Sequence, residues 1–494
     1  MYNFLIILPI LIPIFFGGLI PILSFDNNTH HDKKREIYVA SVVIINALLI
    51  FFLLFNTPEN SITLFRLPGN FHISLHIDGL SKVFMGLVGF LWPLASFYAF
   101  EYMEHSENKN RFFCLYTITF GITCGIAMSA NLITMYFFYE LLTLITIPLV
   151  MHDMNKRAVH AGIKYMIYSI AGAACAFAGM MILVGETGTS LEFKLGGFLN
   201  NVTNIQPHLV IAFFLCFFGF GVKAAIFPLH GWLPSAGVAP TPVTALLHAV
   251  AVVKAGVFAL MRVVYFGFGI SIFKGTYVQY IAMAFAIWTI LYGSSMALKE
   301  QQIKRRLAYS TISNLSYIVF AITLMSSYGF FAAMSHMLFH GFMKITLFFC
   351  AGAIMHKSNK EYIPDFKGFA RKMPVTFATF SIASMALTGV PLLCGFVSKY
   401  NIAIAAVREN SFIAFVGIIV LLISAYLTAK YLFDVVIKAY FPGKDFNYET
   451  INEVEDPSNY MKIPFIILCI IMFITGIYSQ PIMNFLNGVA GNLF

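Results

Sequence analysis

Charged side chains are scarce in this 494-residue chain, and their scarcity excludes a soluble globular domain. Asp, Glu, Lys and Arg make up 11% of the residues, whereas 59% are hydrophobic. The 31 basic residues outnumber the 22 acidic ones, which gives a net charge of +9. Nucleic acid is not the expected partner, because the positive residues lie in short loops between apolar runs and form no basic stripe interleaved with aromatic residues. The composition indicates an integral membrane protein.

Cysteine is also sparse, since its seven occurrences are scattered singly and no C-x-x-C pair exists. Iron–sulfur clusters, structural zinc and a disulfide framework therefore lack ligands, and the cysteines are expected to pack as small residues. The chain also has no flavin, nicotinamide or haem motif. We therefore expect no cofactor in this chain, and any redox chemistry would belong to partner subunits.

The sequence is rich in apolar runs long enough to cross a bilayer, which takes roughly 20 residues each. Fourteen such runs predict an all-α integral membrane fold. They cover residues 2–24, 37–56, 79–100, 112–130, 131–151, 161–184, 207–228, 241–265, 275–298, 307–327, 330–356, 374–403, 410–440 and 462–488.

Basic residues are unevenly distributed between the loops that join these runs. Loops after odd-numbered runs carry 19 Lys and Arg, and loops after even-numbered runs carry five. Because positive charge is concentrated in cytoplasmic loops, both termini are predicted to face outward. The first run is too long for a signal peptide and lacks a basic n-region, so we expect it to remain as an anchor. These features predict a multi-pass protein of the cytoplasmic membrane.

Runs four to eight and nine to thirteen form two blocks of similar length with a matching irregularity. Pro228 interrupts the seventh run and Pro391 the twelfth, and each proline removes a helical hydrogen bond. An odd number of helices per block would invert the second copy, and many transporters place an ion path at the broken helices of such repeats. The predicted segments are an N-terminal three-helix segment (1–110), a first five-helix repeat (111–265), an inverted second repeat (275–440) and a C-terminal helix (462–494).

One outer loop carries strand periodicity. Between residues 71 and 78, Phe, Ile, Leu and Ile alternate with His, Ser, His and Asp. Both a short hairpin packed on a neighbour and a plain amphipathic loop fit this pattern.

Seven lysines fall inside runs that are otherwise typical of lipid-spanning helices. An ammonium group at the bilayer centre costs at least roughly 2.5–3.5 kcal/mol, so such residues mark ion pathways by default. Lys82 and Lys430 lie near the ends of their runs and are expected to snorkel to the interface. Lys164 is a candidate group for the site where the ion enters. The seven are Lys82, Lys164, Lys223, Lys254, Lys344, Lys399 and Lys430.

Glu140 and Lys223 are predicted to act together. Glu140 lies near the middle of the fifth run, and Lys223 lies deep in the membrane, five residues before Pro228. Small movements of a carboxylate ~4–6 Å from an ammonium group can load or release its proton, which is the chemistry of a relay. The alternative is a fixed pair that only locks two helices together, although buried ion pairs are a poor source of stability.

Further titratable residues lie within the eighth and eleventh runs. His248 lies six residues before Lys254, about 240° around a helix, so the two share no face but can line one chamber. His248 is alternatively a packed residue. His336, His340 and Lys344 recur every four residues and form one stripe, which favours a proton relay or a wet seam. A metal site is disfavoured, because H-x-x-x-H lacks a third ligand and a nearby glutamate base.

Six segments together resemble the antiporter-like, proton-conducting subunits of respiratory complex I, the membrane-bound hydrogenases and the Mrp sodium/proton antiporters. They span nearly the whole chain, and the central one is most similar to the Mrp and hydrogenase-type members. The segments are HIDGLSKVF (76–84), FYELLTL (138–144), GVKAAIFPLHGWLPSAGVAPTPVTALLHAVAVVKAGV (221–257), QQIKRRLAYSTISNLSYI (301–318), SHMLFHGFMKITLFFCAG (335–352) and GVPLLCGFVSKY (389–400).

The resemblance implies a fourteen-helix fold with two inverted five-helix repeats and broken seventh and twelfth helices. It implies that Glu140 pairs with Lys223, and that Lys254 and the two histidines of the stripe bridge two half-channels. Lys399 would then face the exit. Some relatives carry a glutamate at this twelfth-helix position and others a lysine, so Lys399 does not define the subunit type.

The sequence therefore predicts an ion-translocating subunit of a redox-driven pump, complex I-like or hydrogenase-type, or of an Mrp antiporter. Its expected partners are other membrane subunits, including homologous ones, the lipid bilayer and, in a redox pump, a peripheral iron–sulfur arm. The alternatives are a stand-alone secondary transporter of a small solute or cation, and a structural subunit that conducts nothing. Protons and Na⁺ are not distinguished, because the same carboxylate and lysine chemistry serves either ion.

Overall fold

The computed structural model describes residues 2–23, 25, 33–58, 60–69, 71–188, 191–199 and 205–491, and the fold within them is almost entirely helical. A 3₁₀ turn (Tyr2–Ile6) precedes the first α-helix, and a π-helix (Arg262–Phe268) continues α10. The α-helices are α1 (Leu8–Leu19), α2 (Lys33–Phe55), α3 (Gly79–Tyr102), α4 (Lys109–Ala127), α5 (Leu132–Val150), α6 (Lys156–Thr187), α7 (Pro207–Gly221), α8 (Trp232–Ala236), α9 (Thr241–Ala249), α10 (Val252–Met261), α11 (Tyr277–Lys299), α12 (Ile303–Thr323), α13 (Ser327–Ser358), α14 (Phe369–Lys372), α15 (Pro374–Thr388), α16 (Cys394–Glu409), α17 (Phe412–Tyr440), α18 (Asn459–Ile477) and α19 (Gln480–Gly491).

Nine helical segments in the described part of the chain are long and apolar enough to cross a membrane. They are α2, α3, α5, α6, α9 to the end of the π-helix, α11, α13, α17 and α18. Three shorter apolar helices, α1, α7 and α15, accompany them. The predicted all-α, multi-pass membrane architecture is confirmed at this level.

A side-chain cap explains why the fourth run (112–130) and the fifth run (131–151) form separate helices. The Asn131 side chain accepts a hydrogen bond from the Thr134 amide (2.7 Å), so it caps the start of α5. Asp78 caps α3 in the same way through the Ser81 amide (2.8 Å). The division between the runs 112–130 and 131–151 therefore falls in the gap between α4, which ends at Ala127, and α5, which begins at Leu132.

The chain leaves helical geometry around both prolines that are predicted to interrupt runs, Pro228 and Pro391. Around Pro228, α7 ends at Gly221 and α8 begins only at Trp232. Around Pro391, α15 ends at Thr388 and α16 begins at Cys394. Gly389 ends α15 with a φ of +99°, a left-handed conformation that glycine adopts without the cost of a Cβ atom.

Two runs that the sequence predicts as single helices are each divided. Within the eighth run, α9 ends at Ala249 and α10 begins at Val252, and at the break the Ala251 amide donates to the Leu246 carbonyl five residues earlier (2.8 Å), which is the hydrogen bond of a π-bulge. Within the fourteenth run, 462–488, α18 ends at Ile477 and α19 begins at Gln480. The second break follows from Pro481, which has no amide proton to continue α18 and fits the first turn of a new helix.

The alternating segment at residues 71–78 forms a hairpin. Strand β2 (His72–Leu75) pairs antiparallel with β1 (Ile62–Arg66). The Asn131 amide donates to the His72 carbonyl (2.9 Å), which attaches the hairpin to the start of α5. The hairpin interpretation is therefore confirmed, and the plain loop is wrong.

A buried ion pair joins the start of α3 to the π-helix. Arg262 is 1% exposed, and its guanidinium contacts both carboxylate oxygens of Asp78 at 2.5 and 2.7 Å. It also donates to the Ser81 hydroxyl (3.0 Å) and lies 4.7 Å from the centroid of the Phe266 ring. Burial alone would raise the pKa of Asp78, but the Arg262 guanidinium and the Ser81 hydrogen bonds lower it to about 2.

Replacing Asp78 by asparagine is expected to lower the free energy of unfolding by about 3 kcal/mol, because it leaves Arg262 charged, buried and unpaired. The folded pKa is lowered from 3.8, so the carboxylate stabilises the protein fully above pH 3.8 and stops doing so as the pH falls through about 2. Thermal unfolding in detergent at pH 7 tests this, with the exposed Asp445→Asn as control. Equal melting temperatures for the two variants would contradict it.

Candidate functional site

Exposure separates the seven lysines of the apolar runs into three groups. Lys223, Lys254 and Lys344 are 0% exposed. Lys430 is exposed on α17. The half-buried lysines are Lys82, Lys164 and Lys399. Fully buried ammonium groups are exceptional in proteins. The three lysines of the first group therefore require hydrogen-bond partners that replace the water lost on burial.

Lys223 lies at the start of the break after α7, and its partner is a backbone group. Its ammonium donates to the carbonyl of Tyr139 in α5, and the nitrogen lies 3.4 Å from the centroid of the Tyr139 ring. Gly256 of α10 packs directly on this segment, because a Cβ atom there would overlap the backbone of Lys223 and Ala224. Lys223 therefore lies between α5 and α10.

Glu140 follows Tyr139 directly but does not form an ion pair with Lys223 within 4 Å, among the residues that the structure describes. One of its carboxylate oxygens, Oε1, is buried without a hydrogen-bond partner there. The two charges nevertheless act on each other through the low-dielectric interior. In this structure the ammonium group is hydrogen-bonded to the Tyr139 carbonyl rather than to the carboxylate. The fixed ion pair of the alternative interpretation is not formed between these two side chains.

Lys254 and His340 form the central contact of the site. The Lys254 nitrogen lies 2.7 Å from Nδ1 of His340, and both residues are 0% exposed. A lysine ammonium has only donors, so the imidazole nitrogen that faces it must be unprotonated. A proton can therefore sit on one partner or the other, while both sites charged would repel at this distance. The resemblance implies that these residues act together, and the structure places them in contact.

The other members of the α13 stripe have partners on different helices. His336 contacts the Ser398 hydroxyl of α16 (2.9 Å), and its ring stacks 5.8 Å from that of His340. Lys344 donates to the Ser310 hydroxyl of α12. The single stripe predicted from the four-residue spacing therefore faces three separate elements, α10, α12 and α16.

Several buried imidazole nitrogens along this line lack a hydrogen-bond partner in the described part of the chain. They include both nitrogens of His248 and the Nε2 atoms of His336 and His340. The His248 ring packs 4.8 Å from that of Phe348, so its apolar face is satisfied while its polar atoms are not. An imidazole nitrogen without a protein partner is able to accept or release a proton, which is the property that a relay group needs.

Lys399 donates to the carbonyls of Leu387 (2.6 Å) and Thr388 (3.1 Å), which end α15. The C-terminal end of a helix is electronegative and has unpaired carbonyls, so it holds a cation well. Lys399 lies inside α16, after its break, whereas Lys223 lies at the beginning of its break. The two lysines are therefore not at equivalent points of the two breaks.

Of the other lysines predicted from the sequence, Lys164 lies at the edge of the site. Lys164 donates to the Ser235 hydroxyl of α8 (3.2 Å), beside the break after α7. Sequence reasoning missed Lys304, which is 4% exposed and donates to the Ala239 carbonyl (2.7 Å). No sequence signal separates it from the neighbouring Arg305, which is 49% exposed.

Across the described ranges, no group of three or more His, Cys, Asp or Glu side chains is arranged to hold a metal ion. In the H-x-x-x-H pair, one nitrogen of each ring is already occupied, by Lys254 for His340 and by Ser398 for His336. The arrangement suits proton transfer between neighbouring nitrogen atoms better than metal coordination.

Comparison with known proteins identifies the family to which the chain is similar. Residues 129–428 match the family described as NADH:quinone oxidoreductase/Mrp antiporter, TM. Residues 67–113 match the family described as NADH-Ubiquinone oxidoreductase (complex I), chain 5 N-terminus.

Individual proteins resemble the chain over most of its length. NADH-quinone oxidoreductase subunit N of Desulforudis audaxviator is 31% identical over 76% of this chain and 74% of its own. The chloroplastic NAD(P)H-quinone oxidoreductase subunit 5 of Chara vulgaris is 30% identical over 84% of this chain, which spans only 64% of that relative. A chain of an archaeal membrane-bound sulfane sulfur reductase has the same fold, with a TM-score of 0.85 over 98% of this chain and 97% of its own, at 23% identity. The chain therefore belongs to the NADH:quinone oxidoreductase/Mrp antiporter family of membrane proteins.

Proposed function

We propose that this chain is an antiporter-like subunit that carries protons across the membrane through a buried relay of Glu, Lys and His side chains. The observation that supports this most is the 2.7 Å contact between Lys254 and His340, two fully buried groups that compete for one proton. A structural role alone would favour apolar packing at this position, since buried charges stabilise a fold poorly.

The relay begins on the cytoplasmic side at Glu140 and Lys223. When the carboxylate approaches, the lysine holds its proton; when the ammonium turns to the Tyr139 carbonyl, the proton is available to the next group. Lys254 then passes it to His340, and the stacked ring of His336 receives it. It leaves by way of Lys399, while His248 and Lys344 line the central chamber.

The family membership and the distribution of basic residues between the loops support a proposal for the topology and the assembly. The chain would cross the membrane fourteen times, with both termini outside and with residues 111–265 and 275–440 as inverted five-helix repeats between the segments 1–110 and 462–494. It would hold no cofactor and would work among other membrane subunits, including homologous ones. In a redox-driven pump a peripheral iron–sulfur arm would supply the energy, whereas in an Mrp-type antiporter an ion gradient would. In the Mrp-type case, Na⁺ moves against protons through the same carboxylate and lysine groups.

The neutral variant Glu140→Gln tests the proposal. The amide keeps the volume of Glu140 but cannot carry the negative charge that loads Lys223, so proton uptake by inverted vesicles with the complex energised is expected to fall at least roughly tenfold. Glu192→Gln, which alters a 52% exposed carboxylate paired with His72, is the matched control. Uptake by Glu140→Gln equal to that of the control would contradict the relay and favour a non-conducting structural subunit.

A further inference from the structure

A cluster of buried hydroxyl groups lies between α11, α12 and α17, away from the lysine–histidine line. The side-chain oxygens of Ser294, Ser313 and Ser424 form a triangle with sides of 2.8, 2.5 and 3.0 Å. The Tyr317 hydroxyl donates to Ser424 (2.8 Å). All four residues are fully buried.

A second group of hydroxyls follows one helical turn away on the same faces of α12 and α17. The Tyr431 hydroxyl donates to the Thr428 hydroxyl (3.2 Å), and the Ser310 side chain lies beside the Tyr431 phenol. Thr428 is four residues beyond Ser424 on α17, and Ser310 is three residues before the Ser313 of the triangle on α12. The two groups therefore form one polar seam along the α12–α17 contact.

Both ends of this seam meet groups of the proposed relay. At one end, Lys344 donates directly to the Ser310 hydroxyl. At the other end, the Tyr317 hydroxyl donates to Ser424, while the face of its ring lies 5.2 Å (centroid) from the Lys399 nitrogen and 5.4 Å from the His336 ring. The seam thus connects Lys344 with the surroundings of Lys399 without passing through His340.

Packing alone would not require these hydroxyls to contact one another. Ser294 and Thr428 each have a backbone carbonyl of their own helix to donate to, at 3.0 and 2.7 Å. The serine triangle nevertheless brings three hydroxyls together, and either partner in each contact can be the donor. One turn from Ser310, the buried Oδ1 of Asn314 has no hydrogen-bond partner among the described residues. A hydroxyl that both donates and accepts can relay a proton by reorienting.

We propose that the α12–α17 hydroxyls are a second proton route from Lys344 to Lys399, parallel to the route through His340 and His336. The proposal rests on the proposed function. The Lys344 ammonium gives a proton to the Ser310 oxygen, which releases its own proton onward, and each hydroxyl repeats this exchange until the neutral Lys399 amine accepts one. One helical turn, about 5.4 Å, separates the two hydroxyl groups, a distance that a bridging water spans.

The test compares His336→Ala, Tyr317→Phe and the double variant in the assembled, energised complex. Parallel routes predict that Tyr317→Phe alone retains uptake within roughly threefold of the wild type and that His336→Ala lowers uptake about tenfold without abolishing it, whereas the double variant loses roughly 100-fold, because neither route remains. Ser424→Ala in the His336→Ala background is expected to act like Tyr317→Phe, and it removes a different hydroxyl. Assembly of every variant is checked on native gels.

Tyr265→Phe is the matched control, because Tyr265 is buried and, within the described part of the chain, its hydroxyl donates only to backbone carbonyls. Abolished uptake in His336→Ala alone, or a double variant equal to His336→Ala, would overturn the second route while the proposed function stands. If Lys254→Met in the same membranes retains full uptake, the proposed function itself fails and the second route fails with it.

Discussion

Replacement of Lys254 by methionine is expected to lower proton uptake by inverted vesicles roughly 100-fold, while the subunit remains assembled. Methionine has a similar length and fills the same space, but it cannot hold a proton 2.7 Å from the His340 ring. In the proposed relay, every proton that passes from Lys223 to His340 or His336 would first have to bind Lys254. Uptake is followed with a pH-sensitive dye after the complex is energised.

Two comparisons make this experiment specific to the relay. Lys430→Met alters an exposed lysine of α17 and is expected to leave uptake unchanged. Thermal unfolding of Lys254→Met is expected to occur at the same or a higher temperature than in the wild type, because the variant removes a buried charge. A variant that loses stability together with uptake would point to a structural role, and full uptake in Lys254→Met would contradict the relay.

Lys223→Met is expected to have an effect of similar size, again roughly 100-fold. The ammonium that donates to the Tyr139 carbonyl is lost, and the nearby carboxylate of Glu140 loses the positive charge that acts on it. Without this group the relay is interrupted at its first step, so the same uptake assay reports the loss.

Lys82→Met is the control for this second variant, because Lys82 is a half-buried lysine near the beginning of α3 and away from the relay. Uptake by Lys82→Met is expected to stay within a factor of about two of the wild type, as for most substitutions away from a reacting group. If Lys223→Met behaves like Lys82→Met, the first step does not use this lysine.

The sequence predicts the helical framework well because hydrophobicity and caps act locally. Asn131 caps the start of α5 close to where the fifth run is predicted to begin, and the helices are interrupted around Pro228 and Pro391. The break between α9 and α10 is not predictable in this way. The hydrogen bond that marks it, from the Ala251 amide to the Leu246 carbonyl, joins apolar residues of the kind found in any transmembrane helix.

The groups of the site were predictable, but most of their contacts were not. Lysines inside apolar runs stand out by composition, whereas the partner of Lys223 is a backbone carbonyl that every residue has. The residues Lys254 and His340 are 86 positions apart, and only the resemblance to a family linked them. The seam around Ser424 was also missed, since isolated serines in apolar helices give no signal until two helices pack together.

The central claim is that Lys223 and Lys254 are successive steps of one path, and a double-variant cycle tests it most directly. Proton uptake is measured for Lys223→Met, Lys254→Met and the combined variant in the same energised membranes. Steps in series predict that the combined variant is at most about twofold slower than the slower single variant, because the times taken by successive steps add rather than multiply. Single losses that multiply in the combined variant would mean that the two lysines act independently, and would contradict the relay.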